Sequence, residues 1–228
     1  RGPPPPRRRR RRPGSDAARP RRAIPSLPLN TEAFILRKRP AADAFQGFTA
    51  FSGEHGALLI LQRLPRKSMP AGVSLDLFDE AALSLESSNQ GRSWFVKEAR
   101  LVTRHPGIGA SYETLLRASA LAELVARNPV HEDSRRGVAS LLRSAFAAFA
   151  AGGRADITFF KALYRFARDE GYPLREHWFP TLPSADRTVV ATLLNRPLAE
   201  QTATGDEVAR LERRLAEYLR GHTEIIVD

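Results

Sequence analysis

Apolar and polar positions change their period once along this 228-residue chain. From Thr31 to about residue 103 the apolar residues come in short runs, as β-strands require. "TEAFILRKR" is an apolar run ending in three bases. "AFQGFTAF" follows and closes on "SGEHG", where Gly53 and Gly56 supply turn chemistry, and "ALLILQR" is a third run rich in aliphatic residues. "LPRKSMPAG", with two prolines, reads as a loop. "EAALSLE" alternates with period two, "SSNQGR" turns, and "SWFVKEARLV" makes a fifth strand, on which alternation sets Lys97 and Arg100 on opposite faces. Five short strands in about 75 residues predict a small closed barrel of the oligonucleotide/oligosaccharide-binding (OB) type.

Past "HPGIG" the period becomes helical. "SYETLLRASALAELVARN" sets Leu115, Ala118, Leu121, Ala122 and Val125 on one stripe, stopped at Asn128-Pro129. "SRRGVASLLRSAFAAFAAGG" is a second helix ended by Gly152-Gly153; "DITFFKALYRFARDEG" has Asp156 as its N-cap and Gly171 as its stop. "SADRTVVATLLN" is shorter, and "TGDEVARLERRLAEYLRGH" opens with Thr204 and Glu207 at capping-box spacing. The fold class is therefore α+β. An N-terminal five-stranded OB-type β-barrel over 31–108 precedes an α-helical bundle over 109–228.

Charge changes this picture less than its size suggests. The chain carries +11, but residues 1–30, which open with "RGPPPPRRRRRRPGSDAARPRR", hold ten Arg against Asp16 alone. The remaining residues carry only +2. Residues 1–30 cannot bury enough apolar surface to offset chain entropy and read as a disordered Arg/Pro-rich tail. The tail lacks the apolar core of a secretory signal, and its prolines argue against the amphipathic helix of a transit peptide.

Enzyme chemistry has little to stand on. "GIGAS" lacks the Gly-Lys-Ser/Thr of a phosphate loop, and Gly107 with Gly109 reads as an interdomain turn. Asp169 and Glu170 are adjacent and so point apart on a helix. His55 lies between turn glycines without a partner in sequence. With no Cys and five scattered His, neither a metal site nor a catalytic thiol is expected, and no cofactor. No run approaches the roughly 20 apolar residues that span a bilayer, so no membrane association is expected.

The basic residues of the body are more informative. Arg37, Lys38 and Arg39 end the first strand, Arg63, Arg66 and Lys67 surround the loop after the third, and Lys97, Arg100 and Arg104 run along and past the fifth. In a five-stranded barrel such segments can converge on a groove that tracks a phosphate backbone; the plain alternative is an ordinary solvated surface. Phe34, Phe45, Phe48, Phe51, Trp94 and Phe95 fall on strands. Most are needed for the core, and Trp94, beside a basic turn, is the candidate for base stacking.

The stretch "TEAFILRKRPAADAFQGFTAFSGEHGALLILQRLPRKS" resembles the N-terminal barrel of RecO, the bacterial DNA repair and recombination mediator family. The matching positions are Arg39-Pro40, Glu54-His55-Gly56, "ALLIL" and Arg66-Lys67-Ser68, with "KEARLV" similar to the last barrel strand and "ARDEGYPLREHW" to a helix-to-Gly-Tyr segment. The chain departs from the pattern in lacking the four-Cys zinc insert, in having Gln62-Arg63 where Lys-Gly is frequent, and in its Arg/Pro tail. The resemblance implies a non-enzymatic protein, cytoplasmic and nucleoid-associated, that binds single- and double-stranded DNA and anneals strands. It implies engagement of the acidic tail of the single-stranded-DNA-binding protein, action with RecR, and indirect help in loading RecA. Its implied DNA contacts are Arg37, Arg39, Arg66 and Lys67, with weaker claims for Lys38, Arg63, Arg100 and Arg104. A second reading is a non-catalytic protein-interaction adaptor whose DNA affinity comes only from the tail.

Overall fold

Five strands carry the first half of the chain: β1 (Leu29–Lys38), β2 (Phe45–Ser52), β3 (Gly56–Arg63), β4 (Glu80–Ser88) and β5 (Ser93–Thr103). The computed structural model describes residues 28–42, 44–64, 73–88 and 91–227, with Gly2. The reading of residues 1–30 as a disordered tail is corrected at its end, where Leu29 and Asn30 pair with Leu85 and Ser84 as the start of β1; residues 3–27, and Arg66 and Lys67, lie outside the described residues. The ladder order β1-β2-β3-β5-β4 returns to β1 and closes the sheet into a barrel. All pairs are antiparallel except β3 with β5, a short parallel contact through Ile60–Trp94 and Leu61–Phe95.

Alternation decides which side chains fill the barrel. Ala33, Ile35, Phe48, Ala50, Leu58, Ile60, Ala81, Leu83 and Leu85 point inward, with Leu75 buried among them. The consecutive apolar run of β1 is explained by its outward residues. Phe34 and Leu36, with Phe51 of β2, leave the barrel wall and join the core of the helical half. A bulge assists: the register steps from Ile35–Ala50 to Arg37–Thr49, so Leu36 is an extra residue and both Leu36 and Arg37 face the helices.

The helical half contains α1 (Tyr112–Arg127), α2 (Arg135–Ala150), α3 (Ala155–Asp169), the short α4 (Leu174–His177), α5 (Ser184–Asn195) and α6 (Gly205–His222). α3 is buried on nearly every side through Ile157, Phe159, Phe160, Leu163 and Phe166 and forms the centre of the bundle. Phe146 of α2, fully buried, packs its ring 6.2 Å from Phe34 and 5.2 Å from Phe78, so one core runs from barrel wall to bundle. A 3-10 turn over Pro106–Ala110 links the two halves, and Gly107 lies so close to the Ala150 carbonyl that a Cβ there would overlap it.

Thr204 and Glu207 form the expected capping box, and Gly171 ends α3 with a φ of +92°. Two helical expectations are corrected. Asp156 is not the N-cap of α3, which is Arg154; Asp156 lies inside the first turn and accepts two hydrogen bonds from the Arg154 guanidinium, at 2.9 and 2.7 Å. Leu115 leaves the buried stripe of α1 and is exposed beside Tyr112 and Leu116, because the bundle covers only the Ala118–Val125 end of that face.

Candidate nucleic-acid interface

Of the eight cations singled out on the barrel, the six among the described residues do not share one face. Arg37 is drawn to the bundle, where its guanidinium forms a two-pronged pair with Glu123 of α1. Arg104 folds onto Asp79, itself 1% exposed, with hydrogen bonds of 2.8 and 2.6 Å and a third, 2.8 Å, to the Ser74 carbonyl. Lys38 meets Asp76 at 3.3 Å in an exposed pair. These three have carboxylate partners, and two of them hold the architecture together.

Arg100 lies elsewhere. It lines a cleft between the barrel and α2 that also holds Arg136, Arg143, Glu32, Glu54, Glu80 and Glu98, a mixed-charge surface unlike a phosphate track. The expectation that Lys97 and Arg100 face opposite ways is overturned by a second bulge. The register steps from Ser84–Glu98 to Leu85–Val96, leaving Lys97 as the extra residue, and β5 thereafter resumes alternation shifted by one. Lys97 therefore shares the outward side with Arg100, where it pairs with Glu86.

Arg39 and Arg63 remain. Both are exposed, neither has an acidic partner among the described residues, and both stand on the outer face of β2 and β3. The Arg39 N–H donates to the Gly47 carbonyl at 2.9 Å, Gly47 is in register with Leu61, and Leu61 with Phe95. One lateral row therefore reads Arg39, Gly47, Leu61, Phe95, and in the neighbouring row Phe45 is in register with Arg63. All face outward, since the flanking Phe48 and Ile60 fill the interior. The Phe45 and Phe95 rings, both half-buried, sit 5.1 Å apart at 45°. The surface is an aromatic pair flanked by two guanidinium groups that have no acidic partner among the described residues.

Trp94 takes the opposite parity. It is half-buried and packs against the barrel interior, in register with Ile60. The outward aromatic is its neighbour Phe95. The run "WFV" leaves parity open in sequence, because apolar residues occupy both faces there.

A second surface lies in the bundle. A groove of about 700 Å³ between α2, α3 and α5 has an apolar floor that includes Leu141, Ala145, Leu194 and Phe179. Lys161, Arg165, Arg168 and Arg175 line it, with no carboxylate in its wall. Lys161 donates to the Arg196 carbonyl at 2.7 Å, and burial lowers its pKa below the ordinary lysine value. Arg165 and Arg168 share Asp169 at the groove's edge, at 3.3 and 2.6 Å. That use of Asp169, and the hydrogen bond from the His131 N–H to Glu170 at 3.2 Å, give the adjacent acids structural partners. His55 is exposed and lies 3.6 Å from Glu54.

Among the described residues no cluster of His, Asp and Glu could hold a metal ion, and no helix is long and apolar enough to cross a membrane. No protein-family model matches the chain, and no curated protein shows significant similarity to it.

Proposed function

We propose that this chain is a RecO-like recombination mediator, a non-enzymatic protein that binds and anneals single-stranded DNA. Its barrel is read as an OB fold, a reading supported by the Greek-key strand order and the parallel β3–β5 closure. The observation that carries the proposal is the outward face of β2, β3 and β5, where Phe45 and Phe95 lie between Arg39 and Arg63. Aromatic faces stack unpaired bases whatever their sequence, and unpaired guanidinium groups neutralise phosphates. The acid-free groove of the bundle has the chemistry to take the acidic tail of the single-stranded-DNA-binding protein, through cations at its rim and an apolar floor. RecR and, indirectly, RecA are the further partners of this reading.

A strand-annealing assay tests it. The full chain, the chain lacking residues 1–27, and the full chain with Arg39→Gln and Arg63→Gln are compared at matched salt. Annealing that survives loss of the tail and falls in the double variant is expected; annealing lost with the tail and unchanged in the double variant rejects the barrel as its seat.

One observation favours the adaptor reading instead. Many cations of the body already face carboxylates, and residues 31–228 carry only +2, so the tail could supply all DNA affinity. The same assay separates the two.

A further inference from the structure

Gly47 is the residue of the barrel's outer face whose side chain is missing where one would be expected. It sits mid-strand, where glycine weakens pairing and marks a close approach of another group. The group in question is Arg39. A Cβ added to Gly47 would lie 3.5 Å from Arg39 Cβ, 3.6 Å from Arg39 Cδ and 3.7 Å from Leu61 Cδ2. The arginine stem therefore lies across β2 instead of standing away from it, and Gly47 is buried beneath it. The backbone is held for this arrangement, since the Arg39 N–H donates to the Gly47 carbonyl at 2.9 Å and the Gln46 amide donates to the Arg39 carbonyl. The guanidinium begins one atom beyond Cδ and so starts at the sheet surface, in the lateral row that continues through Leu61 to Phe95.

We propose that Gly47 is a positioning residue that lays Arg39 flat, so that its guanidinium plane joins Phe45 and Phe95 in a platform for one unpaired nucleobase. The inference rests on the nucleic-acid reading of the barrel and deepens it. The occupant follows from the chemistry: flat π-faces and a planar cation stack a base, and Arg63 beside Phe45 is left to meet the flanking phosphate. A duplex cannot use the platform, because its bases are stacked on one another and only its backbone is presented. With a single aromatic pair the grip is local, and the bases on either side stay free to pair with a complementary strand. That combination, a held strand with open bases, suits annealing better than a continuous stacking channel would.

The test uses the full chain with Gly47→Val and Gly47→Ala, binding a short fluorescent oligothymidylate and an abasic strand of equal length at raised salt. Every neighbour of the added methyl is at ordinary van der Waals distance and the backbone φ is not positive, so Gly47→Ala fits and binds both strands as wild type does. Gly47→Val lifts Arg39 off the sheet without removing its charge. Its affinity for oligothymidylate falls about tenfold while abasic affinity is unchanged, and its melting temperature is equal or higher, because a β-branched residue replaces a strand glycine. A Gly47→Val protein that binds oligothymidylate like wild type, or that loses both strands equally, overturns the platform. So does a wild-type chain that binds both strands alike. If Gly47→Val does not fold, Phe95→Ala carries the same comparison, since Phe95 belongs to neither core. The failure of the broader reading looks different: Arg39→Gln with Arg63→Gln would then leave binding of both strands untouched.

Discussion

Barrel and bundle both pair part of their cations with acids and differ in what surrounds the others, aromatic rings on the barrel and an apolar groove in the bundle. The barrel segment 31–108 has ten cations and eight acids, and the bundle segment 109–228 has sixteen of each. In the bundle many of the cations meet acids: Arg117 meets Glu212, Arg154 meets Asp156, and Arg210 and Arg214 converge on Asp186. On the barrel, Arg39 and Arg63 have no such partner among the described residues, and they flank aromatics. Elsewhere barrel and bundle exchange charges, through Arg37 with Glu123 and Arg143 with Glu80. A cation's role thus depends on whether a carboxylate lies within reach, which net charge does not disclose.

The two halves also have separate cores, and Phe146 of the bundle core packs on the outer side of the barrel wall. Its replacement by Ala should have the largest effect, about 3–5 kcal/mol of lost stability from a buried cavity beside Phe34 and Phe78. Urea unfolding can follow each half separately, with Trp178 in the bundle core read in Trp94→Phe and Trp94 in the barrel read in Trp178→Phe. If the cores act as one, both probes shift together; separate midpoints would break the continuity between them.

Next in size is the ion pair across the junction. Arg143→Met leaves the Glu80 carboxylate, 1% exposed, without its guanidinium. The expected cost is about 2 kcal/mol, moderated because Arg143 is half-exposed. Adding Glu80→Gln should recover most of it, and the same urea curves check this.

For the barrel surface, Arg39→Gln with Arg63→Gln should lower the steepness of log affinity against log salt by about 1.4 for a single strand. Arg104→Gln, which breaks the Asp79 pair, should lower stability and leave that slope unchanged. An equal change in slope from Arg104→Gln would erase the distinction between free and partnered cations.

The smallest effect concerns pH. His105 stands at the junction with its ring 6.1 Å from Phe146, its Nε2 buried with no hydrogen-bond partner among the described residues, and its pKa lowered by burial despite Glu80 and Asp79 nearby. The folded state favours neutral imidazole, so below about pH 6.5 the unfolded chain takes up the proton first and stability declines. Melting temperatures measured across that range should fall less in His105→Gln; identical slopes would remove His105 from the account.

Much of this architecture was legible in the pattern of apolar residues. The five strands, the change of period after "HPGIG", and the capping box at Thr204 follow from local chemistry that tertiary contacts do not override. The site was less legible, for a physical reason. Two single-residue bulges, at Leu36 and Lys97, shift strand parity, and nothing in the residue types there announces them. Parity also decides between Trp94 and Phe95, and the partners of Arg37 and Arg104 lie far away in sequence at Glu123 and Asp79. The basic ends of β1 and β3 were legible as charge, but residue types alone do not disclose which cations are already partnered.

The segment Glu224–Ile226 has a consequence for how the protein is made. The Asn128 side-chain amide donates to the Ile226 carbonyl at 3.0 Å and its oxygen accepts from the Ile226 N–H at 2.7 Å, while Ile225 enters the bundle core. The end of α1 is therefore fastened by residues translated about a hundred positions later. During synthesis the barrel emerges first and can pair its strands, but Phe34, Leu36 and Phe51 stay uncovered until α1 and α2 arrive. The bundle that covers them is clasped only once residues 224–226 have followed. A ribosome stalled before α1 would leave that apolar wall facing water.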